Sequence, residues 1–192
     1  MFSTYRAQDA PNWKPILAGF VGGAIGTFAM GYYWRVVTKI SGLNPREQVR
    51  KEAGTVDKLS VVAQQTQGDE GSTAEVGRVG YEMVTDEKLS EETQEKLGRN
   101  IHWLFGAVAG ALYGGLRARN GHGVDLRGAA AHGTLVWLLG SEVGMPLLGV
   151  SAGPTHFPMR QHVHNLGAHL AYGATTALIA QQLTHQLDRI DP

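Results

Sequence analysis

One acidic residue, Glu142, lies within a long and otherwise uncharged stretch that runs from Gly128 to Met159. An ionisable side chain in such a stretch is a candidate functional group, because it needs a partner or a water-filled cavity. Pro146 follows four residues later, where its ring would disrupt the hydrogen bond to the Glu142 carbonyl oxygen. The sequence therefore predicts a kinked helix with a free backbone acceptor beside the carboxyl group. The alternative is a structural carboxylic acid that is hydrogen-bonded to a neighbouring helix.

A stripe of polar side chains occupies the next uncharged stretch. Its spacing of three and four residues puts every member on one face of a helix. The stripe consists of His162, Asn165, His169, Tyr172 and Thr176. We expect this face to point towards protein or water rather than lipid. His164 falls on a different face, and His132 is a further titratable candidate in the preceding stretch.

Three kinds of chemistry compete for these residues. Histidine and glutamate together are the groups that proton relays use, which makes Glu142, His162, His169 and His132 candidates for proton binding or pH sensing. Alternatively, His162 and His169 ligate a divalent metal or a haem. The chain has no cysteine, so covalent haem attachment through a CxxCH motif is excluded. In the third interpretation the polar groups only hold helices together.

The composition removes several other classes of protein. The 192 residues include 17 Lys and Arg and 17 Asp and Glu, so the formal net charge is zero. A neutral chain lacks the positive charge with which many proteins find nucleic acid, and we expect no nucleic-acid partner. The absence of cysteine excludes disulfides and thiolate metal sites. The chain contains no Walker loop, GxSxG element or HExxH motif, so no catalytic residue and no enzymatic activity are predicted.

Four stretches with little or no charge supply the elements that must position the candidate groups. The first runs from Pro15 to Trp34, and about 20 helical residues at ~1.5 Å each cross a hydrocarbon core of ~30 Å. We predict an all-α, polytopic membrane protein that forms one domain, with spans at about 15–39, 100–117, 128–150 and 161–187. A soluble bundle of buried helices is the alternative fold. A secretory signal peptide is a rival interpretation of the first stretch.

Glycines at intervals of four residues mark the first two predicted spans. They are Gly19, Gly23 and Gly26 in the first, where Gly22 also pairs with Gly26, and Gly106, Gly110 and Gly114 in the second. Small residues on one helix face allow neighbouring backbones to approach closely. We expect these faces to pack inside one four-helix bundle, and self-association through them is the alternative.

A polar, acidic insert separates the first two spans. Residues 41–99 carry 8 basic and 12 acidic side chains, more than half of all charges in the chain. Helices are predicted from Asn44, after Thr55, and from a capping box at Ser72 to Glu75, and Ser90 is expected to cap a helix that continues into the second span. The insert either lies on the membrane surface or forms a solvated loop that is free to bind a partner.

The second half resembles the DUF1440 family, the YagU-like bacterial inner-membrane proteins. The resemblance rests on Asn100-Ile101-His102-Trp103, Gly110-Ala111-Leu112-Tyr113-Gly114, Trp137-Leu138-Leu139 with Glu142, Pro146-Leu147-Leu148-Gly149, Pro154, Phe157-Pro158, and His162 leading to Gly167-Ala168-His169-Leu170-Ala171-Tyr172-Gly173. Family members often have an acidic pair where this chain has Ser141-Glu142, and an aromatic residue where it has Met159.

The resemblance implies a small multi-pass protein of the bacterial inner membrane that is associated with tolerance of acid. We therefore expect a non-enzymatic protein that contacts the lipid bilayer and senses protons through Glu142 and the histidines. Arg117, Arg119 and Arg127 lie in a short loop and favour cytoplasmic chain termini, whereas the cluster of Arg35, Lys39, Arg46, Arg50 and Lys51 favours the opposite orientation. Long loops count less in this rule, so cytoplasmic termini are expected. No cofactor is expected under this interpretation. A haem- or metal-binding protein, or an accessory subunit of a larger membrane complex, is the alternative.

Overall fold

The protein is all-α throughout the part that the structure describes. This computed structural model describes residues 13–42, 71–119, 126–151 and 153–190. The α-helices are α1 (Trp13–Ser41), α2 (Ser72–Thr85), α3 (Glu91–Arg119), α4 (Leu126–Leu135), α5 (Met145–Leu148) and α6 (Met159–Ile190). A π-helix, Val136–Gly144, joins α4 to α5 without a break, and a short 3-10 helix, Pro154–His156, precedes α6. The described residues therefore form five helical rods.

Two glycines end helices in the left-handed conformation that suits a residue without a side chain. Gly42 follows α1 with φ +68°, and its N–H donates to the Thr38 carbonyl at 3.0 Å. Gly149 follows α5 with φ +77°, and its N–H donates to Pro146 while that of Val150 donates to Met145. This pair of bonds is a Schellman motif, which closes the helix and turns the chain towards α6.

The four long rods run antiparallel to their sequence neighbours. Gly19 and Gly23 of α1 meet Gly110 and Gly106 of α3 in reverse order. Gly22 and Gly26 of α1 meet Ala180 and Tyr172 in the middle of α6, so these two helices are also antiparallel. Lys14 and Asp188, at 3.6 Å, bring the start of α1 to the end of α6. α1 is therefore the central rod, with α3 on one side and α6 on the other.

The contacts between rods are made by backbone against backbone. A Cβ atom built on Gly22 would lie 2.7 Å from the Thr176 carbonyl oxygen, and one on Gly173 would lie 2.9 Å from the backbone nitrogen of Gly133. No side chain fits into these gaps, so only glycine permits the observed helix separation. The predicted glycine faces thus lie between helices of one chain.

The outward faces of the same rods are apolar. Phe28 is 57% exposed, Leu112 64%, Leu139 61% and Leu178 57%. The buried core is small by comparison and includes Ala18, Ala168 and Ala177. Large apolar side chains therefore point outwards while alanine and glycine point inwards, the reverse of the distribution in a water-soluble bundle.

A buried set of ion pairs lies within α2, the helix that packs against α3. Arg78 donates to Glu75 at 2.7 Å and to Glu82 at 2.7 Å, and Glu75 is fully buried. Burial by itself would lower the pKa of Arg78, but the hydrogen bonds and charges of the two carboxylates outweigh it and raise the pKa above its usual value. The guanidinium therefore stays charged, and no side-chain cap forms at Ser72, because α2 is capped by Gly71 and Glu75 binds Arg78 instead.

The helix bounds extend the predicted segments. α3 starts at Glu91, directly after Ser90, so the last nine residues of the predicted insert belong to the same rod as the second uncharged stretch. The predicted helices after Asn44 and Thr55 lie outside the described residues. By length and composition, α1 is the one helix of the described residues that qualifies as a membrane span, with a mean hydropathy of 1.4 over its most apolar window.

Candidate functional site

A cleft of about 850 Å³ opens at the end of the bundle where α1 ends and α6 begins. Its floor is formed by α1 and α6, and its two walls by α3 and by the π-helix with α5. The first turn of α2 and the chain between Ser151 and Phe157 close its outer end. The volume falls within the range of ligand pockets in proteins, which is about 300–1,000 Å³.

The strongest polar contact in the cleft joins the π-helix to α6. His162 Nδ1 lies 2.9 Å from one carboxylate oxygen of Glu142 and 3.0 Å from the other. His162 Nε2 lies 2.8 Å from the carbonyl oxygen of Pro154. The side chain of Glu142 is 12% exposed and that of His162 is 16% exposed, so the pair is largely sheltered from water.

These distances fix the number of protons that the pair carries. A carbonyl oxygen only accepts, so His162 Nε2 must carry a proton and donate it to Pro154. At 2.9 Å, one further proton must lie between Nδ1 and the Glu142 carboxylate, since two lone pairs would otherwise face each other. The pair is therefore either an ion pair or a neutral acid beside a neutral imidazole. In both forms the pair carries two protons, one on Nε2 and one between Nδ1 and the carboxylate, and it has no net charge.

The π-helix presents Glu142 to this contact. It places the N–H of Met145 against the carbonyl of Gly140, five residues earlier, and it ends just before Pro146. The sequence predicts a kink at Pro146, and the structure places the π segment, a recognised cause of helix kinks, directly before α5, which contains this proline. Segments of π-helix are rare and frequently lie at functional sites, since they rotate side chains away from their α-helical positions.

A second, weaker contact runs parallel to the first. His169 Nδ1 lies 2.8 Å from the carbonyl oxygen of Asn165, so this nitrogen donates, and Nε2 is the acceptor in the neutral ring. The hydroxyl of Ser141 lies 3.4 Å from that Nε2, which is a long hydrogen bond. Glu142 and Ser141 thus each reach a different histidine of the predicted stripe on α6.

His132 lies apart from the cleft. Its ring packs between Tyr113 and Tyr172, with centroid distances of 4.7 and 5.5 Å. Tyr172 is 1% exposed and donates from its hydroxyl to the carbonyl oxygen of Gly106 at 2.7 Å. This stack ties α3, α4 and α6 together. His164, which the helical spacing sets on another face, meets the hydroxyl of Tyr33 at 3.3 Å.

Comparisons with family models, with curated proteins and with solved structures gave no match.

In the described part of the chain, no three His, Asp or Glu side chains are placed to hold a metal ion. Both ring nitrogens of His162 are already engaged, so the proposed ligand pair His162 and His169 has a single nitrogen, His169 Nε2, that faces the cleft. The donor set fits a proton site better than a metal site.

Sequence reasoning identifies Glu142, His162, Asn165, His169 and Tyr172, and all five line the cleft. Thr176, the last residue of the stripe, is fully buried against Gly22 and Gly26 of α1. The sequence does not indicate which residues of α1 and α3 line the cleft, among them Trp34, His102 and Phe105. Nothing in the spacing of α1 and α3 shows that they face the π-helix, and the Pro154 acceptor is a backbone atom, which leaves no signal in a side-chain pattern.

Proposed function

We propose that this protein is a multi-pass membrane protein that binds protons at the Glu142–His162 pair and thereby couples acidity to the packing of its helices. The observation that carries the proposal is the pair itself: a carboxyl group and an imidazole, both sheltered, whose 2.9 Å contact joins the π-helix to α6. The expected resemblance to acid-tolerance proteins of the YagU type leads to the same function from a different direction.

Membrane placement is supported by the inverted distribution of residues. Phe28, Leu112 and Leu178 lie on outward faces and are each more than half exposed, whereas the helix contacts are made by glycine. Lipid can cover such faces and water covers them poorly. The four long rods then correspond to four spans, each of which crosses both leaflets of an inner membrane.

Antiparallel rods give a direct test of this placement. The start of α1, the end of α3, the start of α4 and the end of α6 share one end of the bundle. Reporter fusions before Trp13, between Arg119 and Leu126, and after Ile190 should all be on the same side of the membrane. A fusion at Glu87, between α2 and α3, should be on the other side. Any other pattern, or release of the protein by a carbonate wash, contradicts four spans.

Proton binding acts on the contact in a defined way. A second proton converts the ion pair into a neutral acid beside an imidazolium, which keeps the hydrogen bond but removes the attraction between opposite charges. Loss of the shared proton leaves two acceptors facing each other. The other charged or titratable groups around the cleft are Arg35, Glu91, Glu95, Arg99, His102 and His169. We expect the pair to dominate the response, because it alone bridges the π-helix and α6 by a short contact between titratable groups.

Glu142→Gln tests the function with little change of shape. The amide donates to Nδ1 of a neutral His162 or accepts from the protonated ring, so the contact remains in both states, but the carboxylate that would take up a proton is gone. In wild-type protein, acidification from pH 7.5 to 5 should lower the protection of amides in residues 136–148, measured as the exchange rate relative to the intrinsic rate at each pH. Glu142→Gln should abolish this loss of protection and lower survival of acid-challenged cells. The matched control is Glu92→Gln, an exposed partner of Lys96 at 2.6 Å, which should behave as wild type. An unchanged exchange response in Glu142→Gln would refute the proposal.

A further inference from the structure

The cleft is walled by helices that do not pack closely against each other. α3 packs along α1 and α2, while the π-helix packs on its own rod and on α6, with Val136 also against the buried cluster that includes Met30 of α1. Between these two walls, a Cβ built on Gly140 of the π-helix would lie 3.6 Å from the ring of Phe105 of α3, which is an ordinary van der Waals contact. Phe105 is 46% exposed. The side of the cleft between α3 and the π-helix is therefore lined by a partly exposed aromatic ring.

The interior of the cleft is polar and carries unused hydrogen-bonding groups. The side chains of Gln161, Asn165 and His102 line it and have no hydrogen-bond partner among the described residues. Nε2 of His169 is engaged only by the long contact from Ser141. The Glu142–His162 pair has no net charge, so the inner part of the cleft offers donors and acceptors without an unpaired ion.

The charged lining residues lie elsewhere in the cleft. Arg35, Arg99, Glu91 and Glu95 are exposed and sit at its outer end, with two charges of each sign. This rim provides no excess of positive charge for an anionic head. The cleft is apolar at Phe28 and Phe105, and its interior is polar and uncharged. Its volume of about 850 Å³ exceeds what a few water molecules require.

We propose that the cleft binds an amphiphile from the bilayer, with an uncharged, oxygen-bearing head at His102, Asn165 and His169. The apolar part of the ligand lies against Phe105 and Phe28, where the outward faces already require lipid contact. A quinone ring and a glyceride head both have this chemistry, namely carbonyl or hydroxyl oxygens on an apolar body. The inference rests on the membrane placement of the proposed function and does not depend on the proton response.

The test uses the full chain in phosphatidylcholine nanodiscs at pH 7.5, followed by tryptophan fluorescence, because Trp34 and Trp103 line the cleft. Decylubiquinone and monodecanoylglycerol are the two uncharged probes, and dodecyl phosphate is the anionic one. A saturable change with either uncharged probe, stronger than with dodecyl phosphate, supports the proposal and identifies the head. No saturable change with either, or binding of dodecyl phosphate alone, overturns it.

Two substitutions at one position locate the ligand. Gly140→Leu places a bulky side chain against Phe105 at the wall of the cleft and should weaken binding of the uncharged probe at least tenfold. Gly140→Ala adds only an ordinary contact at 3.6 Å and should bind as wild type, which excludes a general effect of losing glycine. Asn165→Leu should raise Kd about fivefold by loss of a hydrogen bond. Gly80→Leu, at a position with open space around it, is the control.

The outcome is separable from that of the proposed function. Gly140→Leu retains Glu142 and His162, so the pH-dependent hydrogen exchange should persist in this variant. Equal binding by Gly140→Leu and wild type would overturn the cleft as a ligand site while leaving the proton response intact. Loss of the exchange response in Glu142→Gln alone, with probe binding retained, would support both.

Discussion

The contact between α1 and α3 leads to a sharp prediction at Gly110. A methyl group on Gly110 would lie 2.7 Å from the Cα of Gly23 and 2.8 Å from its nitrogen, and closer still to the carbonyl oxygen of Gly19. Ordinary contacts begin at 3.4 Å, so Gly110→Ala is at least 0.7 Å too tight. All three atoms belong to the backbone of one helix, and none can rotate away. The two helices must therefore separate.

The expected magnitude follows from two opposing effects. Alanine favours a helix by about 1 kcal/mol over glycine, which would stabilise the variant. Overpacking in a fitted interface costs about 1–3 kcal/mol, and the clash with backbone puts this site at the upper end. We expect Gly110→Ala to lower the free energy of unfolding by about 1–2 kcal/mol net.

Gly31→Ala is the matched variant. A methyl group there would meet nothing within 4 Å, so only the helical preference acts and the stability should be unchanged or rise by up to about 1 kcal/mol. Both variants are measured by SDS-induced unfolding of purified protein, followed by circular dichroism. If Gly110→Ala and Gly31→Ala have the same stability, then α1 and α3 do not pack through these glycines and the reasoning fails.

Three further variants test other contacts by the same assay. Arg78→Leu removes the cation from the fully buried carboxylate of Glu75 and should lower the free energy of unfolding by about 3–5 kcal/mol. Glu92→Ala breaks the exposed pair with Lys96 and should lower it by less than about 0.5 kcal/mol. Similar losses in the two variants would contradict the burial of Arg78. Tyr172→Phe removes the hydrogen bond to Gly106 and should cost about 0.5–1.5 kcal/mol with the fold retained; no loss would mean that this bond contributes nothing net. Asp188→Asn, whose side chain is 52% exposed at 3.6 Å from Lys14, should change stability by less than about 0.5 kcal/mol, and a larger loss would show that the two helix ends are more tightly joined.

The helical stripe shows what spacing alone can predict. The intervals from His162 to Thr176 set five residues on one face, and the structure indeed turns that face inward along α6. The glycine series in α1 and α3 is similarly informative, because glycines repeated on one helix face indicate that the backbone of another helix packs against that face. Both predictions depend on local repetition within one helix.

The cleft could not be predicted in the same way. Its walls come from α1, α3 and the π-helix, and the order in which rods pack leaves no periodic signal in any one of them. The shift to π geometry between Val136 and Gly144 also defeats an α-helical projection, since each residue advances by a smaller angle. Proline at position 146 indicates a disturbed helix, but it does not distinguish a kink from a wider turn.

The contact between Lys14 and Asp188 has a consequence for how the chain can be cut and rejoined. The first and last described helices end side by side at one end of the bundle, where α3 ends and α4 begins as well. A circular permutant that links Ile190 to Trp13 by a flexible spacer and opens between Arg119 and Leu126 would leave every helix with its present neighbours and direction. The order in which the rods are synthesised would change, while the assembled bundle would be the same.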